Sequence, residues 1–415
     1  MALSGKEKDA VFMLSAPRIF QHVQGLCNFG PRHLGSSGER QTCNYLESHL
    51  ASMGALVRKI PFEIAIAPSA EGRLEILSPS HHEIEVAVNY RSAPTPGDGI
   101  ITDRVVDIGF GVEKDYEGKN VVGAVALATE GNMHPVPKAE LAAAKGVAAC
   151  IWANSRKGNL ISTYGLSRFG SPIPVVSITQ ESGELLRTQL RQGGMRLALQ
   201  VRTNLSIETG HHVVGILKGG RWPDERMILC AHYETVPNTV GADDNASGVA
   251  IALEVMRALS KIGINRTIWA VFSSGEEGGA PGMRAYVKEK EDEVRKTKAF
   301  FDLDTLGYGT RLCRVTSGLW PDRTVSTSPY LNERLKVSAD DLGYELLDDV
   351  SQLGLADAEP FADIEVPTAW LRTRGSTYLH TRLDSPDRVE PNALKIPAEI
   401  LLVTLLRLDQ QVSIR

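Results

Sequence analysis

The stretch 231–248 constrains the fold of this chain most, because it carries potential metal ligands between a predicted strand and a predicted helix. The apolar run 227–230 predicts a strand that ends close to His232. An aspartate pair, 243–244, closes the loop that follows. Apolar residues with a helical period then predict an amphipathic helix from Ala246 onward. This order places polar side chains at the carboxyl end of a sheet strand, where open α/β sheets carry their sites.

The composition is that of an ordinary globular protein. The chain has 415 residues, of which 42% are hydrophobic and 23% charged, and this length suits two domains. The formal net charge of −5 argues against nucleic acid or an anionic membrane surface, because both require a basic face. No apolar run approaches the roughly 18 residues that cross a bilayer. We therefore expect neither a nucleic acid nor a membrane among its partners.

The N-terminus and the cysteines both indicate a reducing compartment. The opening MALSGKEKDAVFML is charged where a signal peptide has its apolar core, which predicts a cytoplasmic protein. The five cysteines are scattered along the chain, and none forms a CxxC pair. We therefore expect reduced thiols and no metal site built from thiolates.

The character of the chain changes in its middle. Residues 1–60 read as two helices, and predicted strands follow within 57–88. The segment 92–205 is rich in Val, Ala and Gly, with short strand-like runs and two short helices. His134 is the only histidine in this segment. We interpret it as a self-contained β-rich unit that serves as a lid or spacer without chemistry of its own.

From residue 206 onward strands and helices alternate, which predicts a sheet covered by helices on both faces. The fold class is therefore α/β, with a mixed, largely parallel sheet flanked by helices and an inserted β-rich domain. We expect residues 1–91 and 206–415 to form the catalytic domain and 92–205 the insertion.

Five points in the second half of the chain carry candidate chemistry. They are His232, the pair 243–244, the pair 276–277, Asp304 and His380. Three of them follow apolar strand-like runs, so their side chains reach the same end of neighbouring strands. Converging carboxylates repel each other, and a divalent cation removes that repulsion. Nitrogen and oxygen ligands together suit zinc, cobalt or manganese.

Each of these residues also has an ordinary structural explanation. A strand-end histidine can be a hydrogen-bonded structural residue, a glutamate pair can be solvated, and two aspartates before a helix can cap it. The joint pattern favours a site, because the segment 275–279 follows an apolar strand, where a solvated glutamate pair is unexpected. Two adjacent carboxylates also allow one to bind metal while the other acts as general base.

Together these motifs resemble the co-catalytic di-zinc aminopeptidase family. The matching segments are HYE, GADDNASG, SSGEEGG, DLDTLG and YLHTRLDSPDRVEP, and FGPRHLGSSGERQTCNYLESHLASMGALV is similar to the helical start of that family. Its members include bacterial leucyl aminopeptidases, glutamate carboxypeptidase II and glutaminyl cyclases. The middle segment resembles the protease-associated domain that many members carry as an insertion. The resemblance implies a zinc-peptidase-like fold over nearly the whole chain.

The resemblance also implies two Zn²⁺ ions, with cobalt or manganese as alternatives. His232 and Asp304 would bind one zinc, Glu277 and His380 the other, and Asp244 would bridge them. Asp244 is expected in this role, rather than Asp243, because it directly precedes Asn245, and the family often has a cis peptide at that bond. Glu276 would be the general base: it would take a proton from a bridging water, which attacks the scissile carbonyl, and pass that proton to the leaving amine.

Two residues depart from the family pattern. Glu234 stands where the family usually has the aspartate that fixes the ring of the histidine ligand, and we expect its carboxylate to make the same hydrogen bond. Asp302 stands where asparagine is common, two residues before Asp304. Its extra negative charge could favour metal retention, and a surface-exposed aspartate is the alternative.

Several residues near His380 have two interpretations each. Tyr378 could donate a hydrogen bond to the oxyanion of the tetrahedral intermediate, or be a core aromatic. Asp384 could orient either its own loop or the histidine ring. Arg372 and Arg374 could contact an acidic substrate group, which would favour a carboxypeptidase, or be solvated surface charges.

The expected function is that of a metal-dependent aminopeptidase, which hydrolyses N-terminal residues of peptides. A carboxypeptidase or dipeptidase would keep the metals and change the substrate, and glutaminyl cyclisation is a third alternative. A non-catalytic, receptor-like relative would lack a ligand or the base, whereas all five ligands and Glu276 are present here. Long apolar helices could support a homodimer.

Overall fold

The computed structural model describes residues 3–67, 69–158, 160–308, 311–320, 322–352 and 354–414. This part of the chain forms a nine-stranded mixed sheet covered by helices, and a smaller unit with two sheets. The strands are β1 (Leu56–Ile66), β2 (Ala70–Ser78), β3 (His82–Ile84), β4 (Ala87–Val88), β5 (Ile100–Thr102), β6 (Val105–Asp107), β7 (Val125–Thr129), β8 (Ala149–Ala153), β9 (Val175–Ile178), β10 (Arg196–Thr203), β11 (Ser206–Leu217), β12 (Trp222–His232), β13 (Arg266–Ser273), β14 (Thr297–Leu303), β15 (Arg311–Leu319), β16 (Thr324–Ser326), β17 (Leu347–Ser351) and β18 (Thr368–Arg374). The helices are α1 (Gly5–Phe12), α2 (Ala16–Cys27), α3 (Ser37–Ser52), α4 (Pro135–Ala144), α5 (Gln180–Arg191), α6 (Gly248–Ile262), α7 (Pro281–Glu289), α8 (Glu291–Val294), α9 (Pro329–Leu342), α10 (Glu359–Ala362) and α11 (Pro391–Gln410). None of these helices combines the length and the apolar character that crossing a membrane requires.

Three helices precede the first strand, where the sequence predicted two. The additional helix is α1, which begins at a capping box formed by Ser4 and Glu7. It buries only Glu7 and Ala10, so no apolar stripe reveals it in the sequence. Helix α2 starts separately, because the Ser15 hydroxyl caps it and Pro17 favours its first turn.

The large sheet has the strand order β1, β11, β13, β12, β14, β18, β15, β16, and β17 pairs with β15. Its centre, β13-β12-β14-β18, is parallel. The pairs that add β1, β11, β15 and β16 are antiparallel. The sheet is mixed, as predicted, with a parallel centre and one further parallel pair, β15 with β17. That centre brings the carboxyl ends of four strands to one edge.

Different helices bury the two faces of this sheet. Met227 and Leu229 of β12 face a core that α2, α3, α6, α9 and α11 cover. Ile228 and Cys230 face a second core, to which α7 and α10 contribute. Burial on both faces explains why this strand reads as a continuous apolar run rather than an alternating one.

The smaller unit consists of the sheets β3-β2-β10-β5 and β4-β9-β8-β7-β6. One core contains residues of both sheets, among them Leu74, Ile84, Val125 and Leu199. The predicted boundary placed β2, β3 and β4 in the catalytic domain, yet these strands pair and pack within the smaller unit. The boundary at residue 91 is therefore too late, and we propose one near residue 69, where β2 begins the unit.

Two paired strand segments connect the units. Strand β1 pairs with β11, and the end of this ladder places Ile66 opposite Ser206. Strand β2 pairs with β10, and Ala70 lies opposite Thr203. The chain therefore enters and leaves the smaller unit at neighbouring positions.

The five cysteines are buried and free, in agreement with the prediction of reduced thiols. Burial raises the pKa of the Cys27 thiol to about 11 and that of the Cys150 thiol to about 12. These side chains therefore stay protonated at neutral pH and pack as small apolar groups.

Candidate functional site

The five predicted ligands meet at the carboxyl edge of the parallel centre of the large sheet. His232 ends β12, Asp304 follows β14, Glu277 lies in the turn after β13, His380 lies in the loop after β18, and Asp244 lies in the turn before α6. The ends of parallel strands share one edge, so residues distant in sequence converge there. The expected convergence of these side chains is present in the structure.

The five side chains form two groups that share Asp244. In the first group, His232 Nε2 lies 3.0 Å from Asp244 Oδ1 and 3.4 Å from Asp304 Oδ1. In the second group, His380 Nε2 lies 2.9 Å from Asp244 Oδ2 and 3.1 Å from Glu277 Oε2. Asp244 thus presents one carboxylate oxygen to each group, which is the arrangement of a bridging ligand.

The carboxylates determine the protonation of both histidines. Burial alone would lower the pKa of His232 and of His380, but the surrounding carboxylates raise both values well above the ordinary range. Burial would raise the pKa of Asp244, but its contacts with both imidazoles lower it. The two groups therefore attract positive charge strongly.

The donor atoms fit a divalent cation in each group. Each group offers one imidazole nitrogen and two carboxylate oxygens within 4.8 Å of one another, which is donor chemistry that zinc prefers. The Oε1 atom of Glu277 is buried and has no hydrogen-bond partner among the described residues. A buried carboxylate oxygen without a partner is costly, and a cation would satisfy it.

Asp384 holds the loop that carries Asp244. Its carboxylate accepts hydrogen bonds from the amides of Asp243, at 2.8 Å, and Asp244, at 3.1 Å. It also accepts from the Tyr308 hydroxyl at 2.8 Å. The bond between Asp244 and Asn245 is cis, as expected. Of the two interpretations of Asp384, these contacts support orientation of a loop, and the loop is that of the bridging residue.

Replacing Asp384 with Asn is expected to lower the free energy of unfolding by about 1–3 kcal/mol, because the amide group leaves one loop N–H facing another donor. Thermal unfolding would measure this loss. Asp387→Asn is the matched control, since that side chain is exposed and contacts Ser385. Equal melting temperatures for the two variants would contradict the role of Asp384 in holding the loop of Asp244.

Glu234 does not orient the histidine ring in the predicted way. His232 Nδ1 lies 3.1 Å from the backbone carbonyl oxygen of Glu234 and 4.0 Å from its Oε2 atom. A carbonyl can only accept, so Nδ1 carries the proton and Nε2 is left for a cation. The Glu234 carboxylate reaches past the ring, and its Oε1 accepts from the Glu277 amide at 3.3 Å. Burial raises the pKa of Glu234 to about 7.

Asp302 is 2% exposed, so the alternative of a surface aspartate is wrong. Its Oδ2 atom accepts a hydrogen bond from the Ala358 amide at 2.9 Å. Burial, and next the charge of Asp357, raise the pKa of Asp302 well above its ordinary range. Burial also raises the pKa of Asp357 to about 6. Asp357 could not be recognised from the sequence, because a lone aspartate between alanines is typical of an exposed position.

Glu276, the predicted general base, precedes the ligand Glu277 and is half-buried. Burial raises its pKa well above the ordinary range, the positive charge of His232 opposes this effect, and the charge of Asp304 adds to it. A carboxyl group with a raised pKa beside a candidate metal ligand is suited to the role of a general base.

The other residues singled out near the C-terminal motif have structural partners. The Tyr378 ring packs beside Tyr308, with ring centroids 6.4 Å apart, which favours its interpretation as a core aromatic. Its role as an oxyanion donor stays a prediction. Arg372 Nε donates to Asp349 at 2.8 Å, and Arg374 Nε donates to the same carboxylate at 2.7 Å. These ion pairs occupy both guanidinium groups, so neither is a free receptor for an acidic substrate group.

Arg32 is a supporting residue whose role the sequence analysis missed. It is fully buried, and it donates to the carbonyl oxygens of Tyr233, at 2.8 Å, and Gly241, at 3.0 Å. These contacts brace both ends of the loop between His232 and the aspartate pair. A lone arginine in a Gly-Pro-Arg turn gave no signal of this contact, which spans about two hundred residues.

Two family models match this chain. The model of Peptidase family M28 matches residues 212–405, and the model of the PA domain matches residues 97–186. The first range contains all five candidate ligands and Glu276. The second lies within the smaller unit.

Curated relatives named as aminopeptidases match most of this chain. Aminopeptidase YwaD of Bacillus subtilis is 30% identical over 372 residues, which cover 88% of this chain and 77% of that protein. An aminopeptidase of Pseudomonas aeruginosa is 29% identical over 319 residues, which cover 71% of this chain and 58% of that protein.

Solved structures confirm the fold. An aminopeptidase from Aneurinibacillus sp. strain AM-1 has a TM-score of 0.77 at 24% identity, covering 99% of this chain and 97% of its own. BSAP, a zinc aminopeptidase from Bacillus subtilis, has a TM-score of 0.76 at 24% identity, covering 95% of each chain.

Proposed function

The chain belongs to peptidase family M28, and from this premise we propose that it is a zinc-dependent aminopeptidase that removes N-terminal residues from peptides. One observation carries the proposal: two ligand groups share Asp244, and Glu276 lies next to a ligand of the second group. Relatives named as aminopeptidases support the substrate class.

We propose that the site holds two zinc ions, with His232 and Asp304 on one, Glu277 and His380 on the other, and Asp244 on both. When bound, zinc supplies a Lewis acid for the scissile carbonyl and makes water easier to deprotonate. Cobalt or manganese could replace it, since the donor set suits them as well.

The protein supplies the proton transfers and the orientation. Glu276 takes a proton from the attacking water and returns it to the leaving amine, which its raised pKa favours. The backbone carbonyl of Glu234 holds the His232 ring with Nε2 toward the ligand group. Asp384 holds the loop of Asp244 by two backbone amides.

The charge around the site favours an aminopeptidase over a carboxypeptidase. A substrate α-ammonium group is stabilised by nearby carboxylates, whereas a C-terminal carboxylate needs a free cation. Arg372 and Arg374 are both paired with Asp349, and buried Arg32 is occupied by backbone carbonyls. The two arginines that could have favoured a carboxypeptidase, Arg372 and Arg374, are therefore already paired.

A substrate panel tests this proposal. We expect the protein to cleave aminoacyl-p-nitroanilides with a free α-amino group and to leave N-blocked peptides with free C-termini intact. Activity should disappear with a chelator and return with zinc. Cleavage of the blocked peptides alone would indicate a carboxypeptidase. Zinc binding without cleavage of either substrate would favour a receptor-like relative.

Homodimer formation stays a prediction. Size-exclusion chromatography with light scattering would test it, and a mass equal to that of one chain would contradict it.

A further inference from the structure

A segment of the smaller unit contacts both residues that complete the second ligand group. We call this segment, residues 162–166, the wedge. The Thr163 amide donates to the His380 carbonyl oxygen at 3.2 Å. The Tyr164 ring lies edge-on to the His380 ring, with centroids 5.0 Å apart. Gly165 lies against the Glu277 backbone so closely that a Cβ atom there would be 2.2 Å from the Glu277 carbonyl oxygen.

The two ligand groups differ in how the large sheet supports them. His232 ends β12 and pairs with Ser273 of β13. Asp304 directly follows β14, and its amide donates to the carbonyl oxygen of Leu371 in β18 at 3.2 Å. Glu277 instead lies in a short turn flanked by glycines with left-handed backbone. His380 lies in a loop and has a φ of 60°, a conformation that residues other than glycine seldom adopt. The second group therefore depends more on contacts from outside the sheet.

Arg156 of the smaller unit holds the loop that leads to His380. Its guanidinium group donates to the carbonyl oxygens of Ser376, at 3.3 Å, and Leu379, at 3.1 Å, and also to that of Thr377. The same group donates to the Ser162 hydroxyl of the wedge at 2.9 Å. One side chain therefore connects the wedge with the loop of a metal ligand.

The wedge is itself held firmly by residues 90–91. Its two backbone hydrogen bonds with Tyr90 run from the Tyr90 amide to the Tyr164 carbonyl, at 2.9 Å, and from the Leu166 amide to the Tyr90 carbonyl, at 3.0 Å. Arg91 is 1% exposed and donates to the Leu166 carbonyl oxygen at 2.8 Å. These contacts anchor the wedge to residues 90–91 within the smaller unit.

We propose that the wedge and Arg156 position Glu277 and His380, so that the smaller unit completes the second zinc site while the first zinc site forms without it. The inference rests on the proposed di-zinc function. It replaces the sequence interpretation of the insertion as a lid or spacer without chemistry. The wedge residues are positioning residues, because they act through the two ligands and not on the substrate.

Metal titration of two wedge variants and one Arg156 variant tests the proposal. Gly165→Ala introduces a methyl group against the Glu277 backbone, Tyr164→Ala removes the ring beside His380, and Arg156→Ala releases the preceding loop. Isothermal titration of metal-depleted protein with Zn²⁺ would resolve two binding steps. We expect the affinity of one step to fall about 10–100-fold, the range known for outer partners of metal ligands, and the other step to be unchanged.

Matched variants identify the site that is weakened. Gly220→Ala is the control for Gly165→Ala, because its Cβ would meet only ordinary contacts on an exposed loop. Tyr164→Phe keeps the ring and should bind both ions normally. With Co²⁺ as the probe, the visible spectrum of each wedge variant should match that of His380→Ala and differ from that of Asp304→Ala.

The outcomes separate the two proposals. Two ions in the wild type without peptidase activity would overturn the proposed function and leave the wedge inference intact. Equal weakening of both steps, or two unchanged steps in folded Tyr164→Ala and Arg156→Ala, would overturn the wedge inference. Circular dichroism establishes that each variant is folded, and loss of folding in Gly165→Ala alone leaves the other two variants to decide.

Discussion

Replacing Glu276 with Gln is expected to lower kcat for aminoacyl-p-nitroanilide cleavage about 10²–10⁴-fold while both zinc ions stay bound. The amide has nearly the shape of the carboxyl group but cannot accept and return a proton. Glu276 is not among the residues that form the two ligand groups, so the metal content should not change. Steady-state kinetics and elemental analysis of the same preparation measure both quantities.

Two further variants make this result specific. Glu289→Gln makes the same chemical change on an exposed position of α7 and should leave kcat unchanged. Glu277→Gln should instead reduce the zinc content, because that residue belongs to the second ligand group. Full activity of Glu276→Gln with normal metal content would exclude it as the general base.

Replacing Asp244 with Asn should reduce bound zinc from two ions to at most one and lower kcat/KM more than about 100-fold. Its two oxygens serve different groups, and an amide offers only one oxygen. The expected loss exceeds that for an outer partner of a ligand, which is about 10–100-fold. Elemental analysis and kinetics on the zinc-reconstituted protein would measure the effect.

Asp243→Asn is the neighbouring control for that experiment. Burial, and next the charge of Asp384, raise the pKa of Asp243 well above its ordinary range, so a neutral amide is a close substitute. Its Oδ1 atom accepts from the Gly307 amide at 2.6 Å, which an amide oxygen can also do. Loss of zinc in Asp243→Asn with retention in Asp244→Asn would reverse the assignment of the bridging residue.

The candidate residues at the strand ends could be predicted because the sequence pattern that identifies them lies in the strand directly before each one. Each follows a strand that is buried on both faces, and such strands are unmistakable apolar runs, as 227–230 illustrates. The turn with Glu276 and Glu277 was recognisable because a charged pair directly after such a strand is unexpected. Parallel strands then bring His232, Glu277 and Asp304 to one edge, whereas the expected roles of Asp244 and His380 came from the family resemblance.

Other features depend on contacts or rotamers that a sequence does not encode locally. Strands β15 and β17 are polar enough to read as loop, and both pair at the edge of the sheet. One additional methylene carries the Glu234 carboxylate past the histidine ring to the Glu277 amide. The wedge lies more than a hundred residues from the candidate ligands it contacts. Its sequence, Ser-Thr-Tyr-Gly-Leu, contains no motif from which this contact could be predicted.

The paired strands at the junction of the two units also have a consequence for folding kinetics. Strand β1 must find β11 across the whole smaller unit, with Leu56 opposite Ile216, and such long-range pairing is slow when the intervening chain is unfolded. Once the smaller unit has folded, Ala70 and Thr203 already lie opposite each other. Folding of the smaller unit has then already met the entropic cost of closing the loop between β1 and β11. The two strands can pair from Ile66 and Ser206 outward. We therefore expect early folding of the insertion to speed the pairing of the two parts of the catalytic domain.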